Sequence, residues 1–578
     1  MSKSIKKSGQ KFIRKFSRAS IKVSEDGKEH IKENLFQRVS HIANIRLLIL
    51  EWGLLVAALI MLAVAQAFWF GDSYAENVWT TGGTYTEATL GDVNSMNPLF
   101  ATTNSERVLS RLLFSTLAAI DYSGHPKPEL AKSITASEDG KVWTIKLREG
   151  LKWSDGEPIT NEDVMFTLSL IKNPAVTTVY DANLTNVKVT EGENGEIIFS
   201  LPTAYADFIS TLIIPIVPKH ILGEVDPKTL IEDNFSNAPV GSGAFYFNAL
   251  QSGALTQDKT FYLSANPYYY RGKAMLGNFA VHTYTNRDDI VGALNSSSIT
   301  ATAELSIADA ERITASQFYQ KNSSLNSGAF IFFNTSREAL KKVEVRRALR
   351  QGIDMAEVRT NAPETERLDY PITDSQMALN NYPEIPGYDL ESAKAKLAEI
   401  NGSETINLEL ATVNTGVLPK VAEAVADELR ELGYQVNVAS YEENQDFITN
   451  VLSPRNYDIL VYEIELGADP DPLPYYHSSQ ASKAGLNLSN YRNALVDDLL
   501  LAGRETLDQS LRIKKYESFL EYWVGEVPAI AIYRPNLTYY YNRNVRSFSN
   551  NLHLVTALDR FSDVTNWAVN TTTKNKTP

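Results

Sequence analysis

A chain of 578 residues with 43% hydrophobic and 21% charged positions is too long for one core and suits two or three domains. Its formal net charge is −14, yet residues 1–46 hold twelve Lys or Arg against four Asp or Glu, so the rest carries −22 and lacks the positive footprint that nucleic acid needs. With no cysteine, the chain can have no disulfide, Cys-zinc site, cysteine nucleophile, iron–sulfur cluster or lipid-bearing cysteine.

The basic stretch is followed by Trp52–Phe70, nineteen residues without a charge. About 20 apolar residues cross a bilayer as a helix. Trp52, Trp69 and Phe70 stand near its ends as interfacial aromatics do, and the positive-inside rule places the N-terminus in the cytoplasm and the body outside. This predicts a basic cytoplasmic tail (1–46) and an uncleaved, single-pass transmembrane signal anchor (47–72). Ala65-Gln66-Ala67 fits a signal-peptidase site and keeps a cleaved signal peptide as the alternative, although the basic region before it is far longer than a signal peptide's.

Beyond a short polar linker, Val78–Tyr85 begins a strand, and Ser105–Leu117 reads as a helix with Val108, Leu112 and Leu113 on one face. From Pro128 to Phe166 the order is strand, turn, strand, loop, helix. Asp139-Gly140 makes a tight turn, Val142–Leu147 alternates as a strand does, and Thr160 or Asn161 caps a helix. Ala329–Phe333 is an apolar strand running into Asn334 and a helix. Between 389 and 462 the pattern is helix, strand (Ile406, Leu408, Leu410), helix (Val421, Val425, Leu429, Leu432), strand (Val436, Val438), helix, strand (Ile459–Tyr462). Such alternation implies parallel pairing, with ligands at the carboxyl ends of the strands.

Catalytic patterns are missing. His30, His41, His125, His220, His282, His477 and His553 show no metal-ligand spacing, and there is no G-x-S-x-G elbow. The G-S-G at 241–243 lacks the third glycine and the Lys-Ser/Thr of a nucleotide loop. Acidic pairs such as Glu162-Asp163 and Glu442-Glu443 read as helix-start charges. Nothing in these residues assembles a catalytic pair, and the expectation is no enzyme activity, metal or cofactor.

The block SEDGKVWTIKLREGLKWSDGEPITNEDVMF, with Pro218-Lys219-His220, Asn237–Phe245 and Val345-Arg346-Arg347-Ala348, resembles the bacterial extracellular solute-binding proteins of family 5, the peptide-binding components of ABC importers. The likeness covers about 80–570. It implies an α/β, two-lobed, periplasmic-binding-protein-like fold of type II with an extra inserted subdomain, here preceded by the transmembrane helix. Lobe I would span 80–300 with the insert at about 115–235, lobe II 301–530, and the chain would return to lobe I over 531–570. The hinge would lie near 300–303 and 528–533, and 571–578 would be a disordered tail. The implied partners are a small peptide ligand, held partly through its main chain, and ABC permease subunits, the protein acting as a monomer. Many family members are lipoproteins, and the missing cysteine departs from them.

The same resemblance directs attention to YEIELGADPDPLPYYHSS after the strand Ile459–Tyr462, where Glu463, Glu465, Asp469 and Asp471 stand with Tyr475. A buried ligand ammonium needs an opposite charge. Aligned on Ala468-Asp469, the amine partner is Asp469; aligned on Asp469-Pro470-Asp471, the equivalent position is Leu466, which could not serve. The family's usual Trp is also missing from the loop. Asp92, Val93, Asn94 and Asn334 would face the cleft. Rival readings are a non-peptide ligand in the same fold (oligosaccharide, metal chelate or haem), a membrane-anchored hydrolase, and a sensor signalling through the basic tail.

Overall fold

The computed structural model describes residues 46–575 apart from 181–183, 185, 254–257 and 403. The predicted basic tail thus lies outside the described residues except for Arg46, as does 576–578. The chain divides into two compact units, residues 1–78 with 571–578 and residues 79–570. In the first, helix α1 (Arg46–Tyr74) contains the apolar run Trp52–Phe70. Side chains of 46–49 and 67–77 are outside the description, and among the described residues no helix is long and apolar enough to cross a membrane. The expected disordered tail is corrected in part: Thr571–Asn575 belong to the strand Asn570–Asn575, which pairs with Ala75–Thr80.

In the second unit the first strand, β1 (Thr84–Leu90), leads to helix α2 (Asn104–Leu113). A capping box fixes the start of α2, with Thr103 and Glu106 bonding each other's backbone N–H. The inserted subdomain follows. Its four-stranded sheet comprises Ala131–Ala136, Val142–Leu147, Ile197–Ser200 and Lys188–Glu191, flanked by the helix Asn161–Ile171 capped by Thr160. Its side chains Trp143, Ile145 and Phe199 share one core with Tyr85, Phe245 and Phe279 of the lobe I sheet. The segment 241–243 crosses over the end of α2, and a Cβ on Gly241 would stand 2.0 Å from the Leu113 carbonyl oxygen. Close backbone approach, not a left-handed φ, requires that glycine.

The chain then adds β2 (Phe245–Ser252), β3 (Lys259–Ala265), β4 (Asn278–Tyr284), β5 (Ala301–Thr302) and β6 (Phe318–Ser324). It crosses to a second sheet, made of β7 (Ser327–Phe333), β8 (Glu366–Arg367), β9 (Asn407–Val413), β10 (Gln435–Tyr441), β11 (Ile459–Glu465) and β12 (Ala529–Arg534). Helices α3 (Leu418–Glu431), α4 (Ala494–Glu505) and α5 (Gln509–Glu526) pack on it. β13 (Asn536–Asn542) returns to the first sheet. The two orders are β6-β13-β5-β1-β4-β3-β2 and β8-β12-β7-β11-β9-β10. As the alternation implies, β9 pairs parallel with both β10 and β11, and α3 buries Val421, Val425 and Leu429 beneath the crossover.

The change of lobe falls later than the sequence suggested. β5 lies inside the first sheet, paired with β1 and β13, so 300–303 is not a crossing. The chain passes between sheets at Leu325-Asn326, after β6, and at Pro535, between β12 and β13. These crossings touch: Leu325 N–H donates to Pro535 O (3.0 Å), and the Arg534 guanidinium donates to Leu325 O (3.2 Å) and Asn326 Oδ1 (2.9 Å).

Candidate ligand cleft

The carboxyl ends of β9, β10 and β11 point the same way, and β11 pairs antiparallel with β7, setting Glu465 opposite Ser327 beside the first crossing. In the other lobe β1, β4 and β5 run parallel and finish on the side where β13 begins at the second crossing. Both lobes therefore present their strand ends, where ligands bind in such sheets, towards the crossings.

Glu463, Glu465, Asp469, Asp471 and Tyr475 come together here. The loop after β11 is tied to the crossing: Leu466 N–H donates to Asn326 O (2.8 Å), Asn326 Nδ2 to Gly467 O (3.1 Å), and Gln376 Nε2 to Leu466 O (2.6 Å). Tyr475 donates its hydroxyl to Glu465 O (2.7 Å). Asp469, expected to await a ligand ammonium, already holds a cation. Arg512 Nη1 donates to Asp469 Oδ1 (2.9 Å) and Nη2 to Oδ2. Asp471 Oδ2 likewise accepts from Arg504 Nε (2.9 Å) and Nη2 (2.5 Å). The helices α4 and α5 supply both arginines, which the sequence reading missed.

Lobe I reaches this loop through its inserted subdomain. Tyr205 lies under the Arg504 guanidinium (4.8 Å), and Ala206 N–H donates to Arg504 O (2.8 Å). Asp207 is buried, and burial first, then the Asp469 carboxylate, pushes its carboxyl well above the usual range. Burial raises the Asp469 carboxyl as well, with the Arg512 guanidinium opposing the shift.

Glu463 differs from its neighbours. Burial lifts its carboxyl to about 7, Ser327 opposes the shift, and the charged groups acting on it are Glu443 and Glu465, both carboxylates. Glu465 itself is exposed.

Asp92, Val93 and Asn94 follow β1 on the cleft side. Their backbone is built in: Asp92 O accepts from the Thr103 hydroxyl (2.9 Å), Val93 O from Lys259 Nζ (3.3 Å), and Asn94 N–H donates to Glu106 Oε1 (2.8 Å). The exposed Asn94 borders a cavity of about 270 Å³ with Phe100, Val179 and Ile231. Asn334 is a correction. Because β7 runs antiparallel to β11, Asn334 emerges at the opposite edge from the cleft. It is buried, and its amide donates to Arg455 O (3.2 Å) and Tyr457 O (2.9 Å).

Residues 125–487 match the family described as bacterial extracellular solute-binding proteins, family 5 Middle. The chain is a family-5 bacterial extracellular solute-binding protein. It is 26% identical over 483 residues to the oligopeptide-binding protein AppA of Bacillus subtilis, covering 79% of this chain and 87% of that one. The AppA structure in complex with a nonapeptide superposes with a TM-score of 0.68 at 22% identity, covering 85% of this chain and all (100%) of that one. The substrate-binding protein CtaP of Listeria monocytogenes gives 0.74 at 23%, with 85% and 100% covered. These likenesses establish the two-lobed periplasmic-binding fold for this solute-binding protein.

Proposed function

We propose that this protein is the extracytoplasmic substrate-binding component of an ABC importer, capturing a peptide between its lobes and handing it to a membrane permease. The observation that carries the reading is the pair of adjacent crossings beneath facing strand ends. Two short, mutually bonded segments join the lobes, and domain closure needs few more hinge residues than that. Its relatives include an oligopeptide-binding protein crystallised with a nonapeptide. The protein works as a monomer and binds without turnover. In isothermal titration, a pool of tripeptides to pentapeptides should give saturable binding. Silence with peptides together with binding of a glycan or metal chelate would overturn the peptide assignment.

We also propose that α1 anchors the body to the membrane, with the N-terminus in the cytoplasm. Leu54, Leu55, Leu59, Ile60 and Leu62 cover several sides of the helix and are all exposed, as lipid-facing side chains would be. The sequence contains no cysteine to carry a lipid. Intact mass of membrane-extracted protein should include residues 1–67, and a mature terminus at Phe68 would contradict the anchor.

A further inference from the structure

Cations gather on lobe I in a body whose net charge is strongly negative. Lys127 stands between Pro126 and Pro128 on a short strand paired with Ala118–Ile120, and the two prolines hold its backbone extended. Arg148 follows the strand Val142–Leu147, and Tyr270-Arg271 follow β3. With Pro128, these four residues line an open cavity of about 390 Å³. Lys127, Arg148 and Tyr270 are half-buried, and Arg271 is exposed.

The arginines are held in place from behind. Arg148 Nε donates to Glu129 O (2.7 Å), while Arg271 donates from Nη1 to Ser562 O (2.8 Å) and from Nε to the Tyr270 hydroxyl (2.5 Å). Both guanidinium carbons lie close to the centre of the Tyr270 ring, at 5.4 Å for Arg148 and 5.2 Å for Arg271. The ring therefore steadies both cations by the attraction of its face for positive charge. Among the described residues, no hydrogen bond engages Nη1 or Nη2 of Arg148, Nη2 of Arg271 or Nζ of Lys127, and none of the three forms an ion pair.

The neighbouring acids are engaged elsewhere. Glu129 is fully buried, and its carboxylate accepts from Arg111 Nη1 (3.3 Å), the Thr116 N–H (3.0 Å) and the Thr116 hydroxyl (2.6 Å). Glu149 turns to Lys132 (4.0 Å). Cations converging on one cavity repel one another, and an anion that enters removes that cost. Free guanidinium N–H pairs suit an oxyanion that accepts two bonds at once. The combined positive charge favours phosphate over a single carboxylate.

We propose that Lys127, Arg148 and Arg271 form a phosphate-binding site on lobe I, for a phosphate group either free in solution or borne by an anionic lipid headgroup. The site shares no residue with the 465–472 loop and stands whether or not the transported ligand is a peptide.

The test uses the full chain in neutral detergent, titrated calorimetrically with inorganic phosphate at pH 8 and constant ionic strength. Saturable binding is expected, and Arg148→Met and Arg271→Met should each weaken it about tenfold, the worth of one charge-assisted bond. Arg148→Lys keeps the charge without the fork and should weaken it less than Arg148→Met. Urea midpoints measured alongside separate lost binding from lost folding, and Arg148→Met removes just one of the hydrogen bonds described, that to Glu129 O. For the second source, Lys127 acetylation is followed by mass spectrometry with the protein in nanodiscs free of inorganic phosphate. Protection by phosphatidylglycerol discs but not by phosphatidylcholine discs would assign the headgroup. Phosphate binding without that protection would assign the free ion. Neither binding nor protection in wild type would overturn the site, as would either one persisting unchanged in Arg148→Met and in Arg271→Met.

Discussion

Arg560→Met should cost lobe I about 3–5 kcal/mol, the penalty for leaving a buried carboxylate without its cation. Glu87 is fully buried on the central strand β1, and Arg560 is 1% exposed. Arg560 Nε (3.1 Å) and Nη2 (2.6 Å) both donate to Glu87 Oε1, while Oε2 accepts from the Tyr539 hydroxyl (2.7 Å). Tyr539 in turn shares a hydroxyl contact with Tyr85 (2.8 Å). After the substitution, the tyrosine is the one remaining bond to the Glu87 side chain among these. Urea unfolding followed by tryptophan fluorescence would measure the loss. A change below about 1 kcal/mol would mean that the charge had found water or a proton, contrary to its enclosure. Glu87→Gln with Arg560→Met should recover most of the loss, since removing both charges is far milder than removing one.

Arg512→Leu should be nearly as damaging at pH 8, about 3 kcal/mol, and much milder at pH 5. It strips Asp469 of both guanidinium bonds and removes a third, from Arg512 Nε to Gly503 O (3.0 Å), that braces α5 against α4. Asp469 then faces Asp471 and the buried Asp207. The sign follows from the direction of the shifts. Burial already raises the Asp469 carboxyl, as it does that of Asp207, and without the Arg512 guanidinium that opposes the shift it rises further. Ionisation is then penalised above the raised value and relieved below it, where the group binds a proton in the folded state. An equal loss at both pH values would show that the damage is packing rather than charge.

How much could be read beforehand depended on whether the information was local. The strand Val142–Leu147 and the helix capped by Thr160 formed as their turn, alternation and cap required. The parallel order of β9, β10 and β11 follows from alternating helical and strand periods. The end of lobe I was harder, because β5 is two residues long and carries no period, and its place depends on β13, more than two hundred residues later. The loop aspartates stand close together, each paired with an arginine. Those partners were not legible in the sequence, because Asp469 and Arg512 stand 43 residues apart and no spacing rule joins a loop to a distant helix face. Asn334 was misjudged for a related reason: which edge of the sheet a strand end occupies depends on the direction of its neighbour.

The crossings at Leu325-Asn326 and Pro535 also set an order of assembly. Lobe II is one continuous stretch of chain interrupting lobe I, so all its strands are available to a growing polypeptide before lobe I is complete. Lobe I cannot close its sheet until β13 emerges to fill the gap between β5 and β6. Until then Glu87 has neither Tyr539 nor Arg560. A nascent chain thus holds Glu87 in the middle of its first sheet without its guanidinium partner until Arg560 is made.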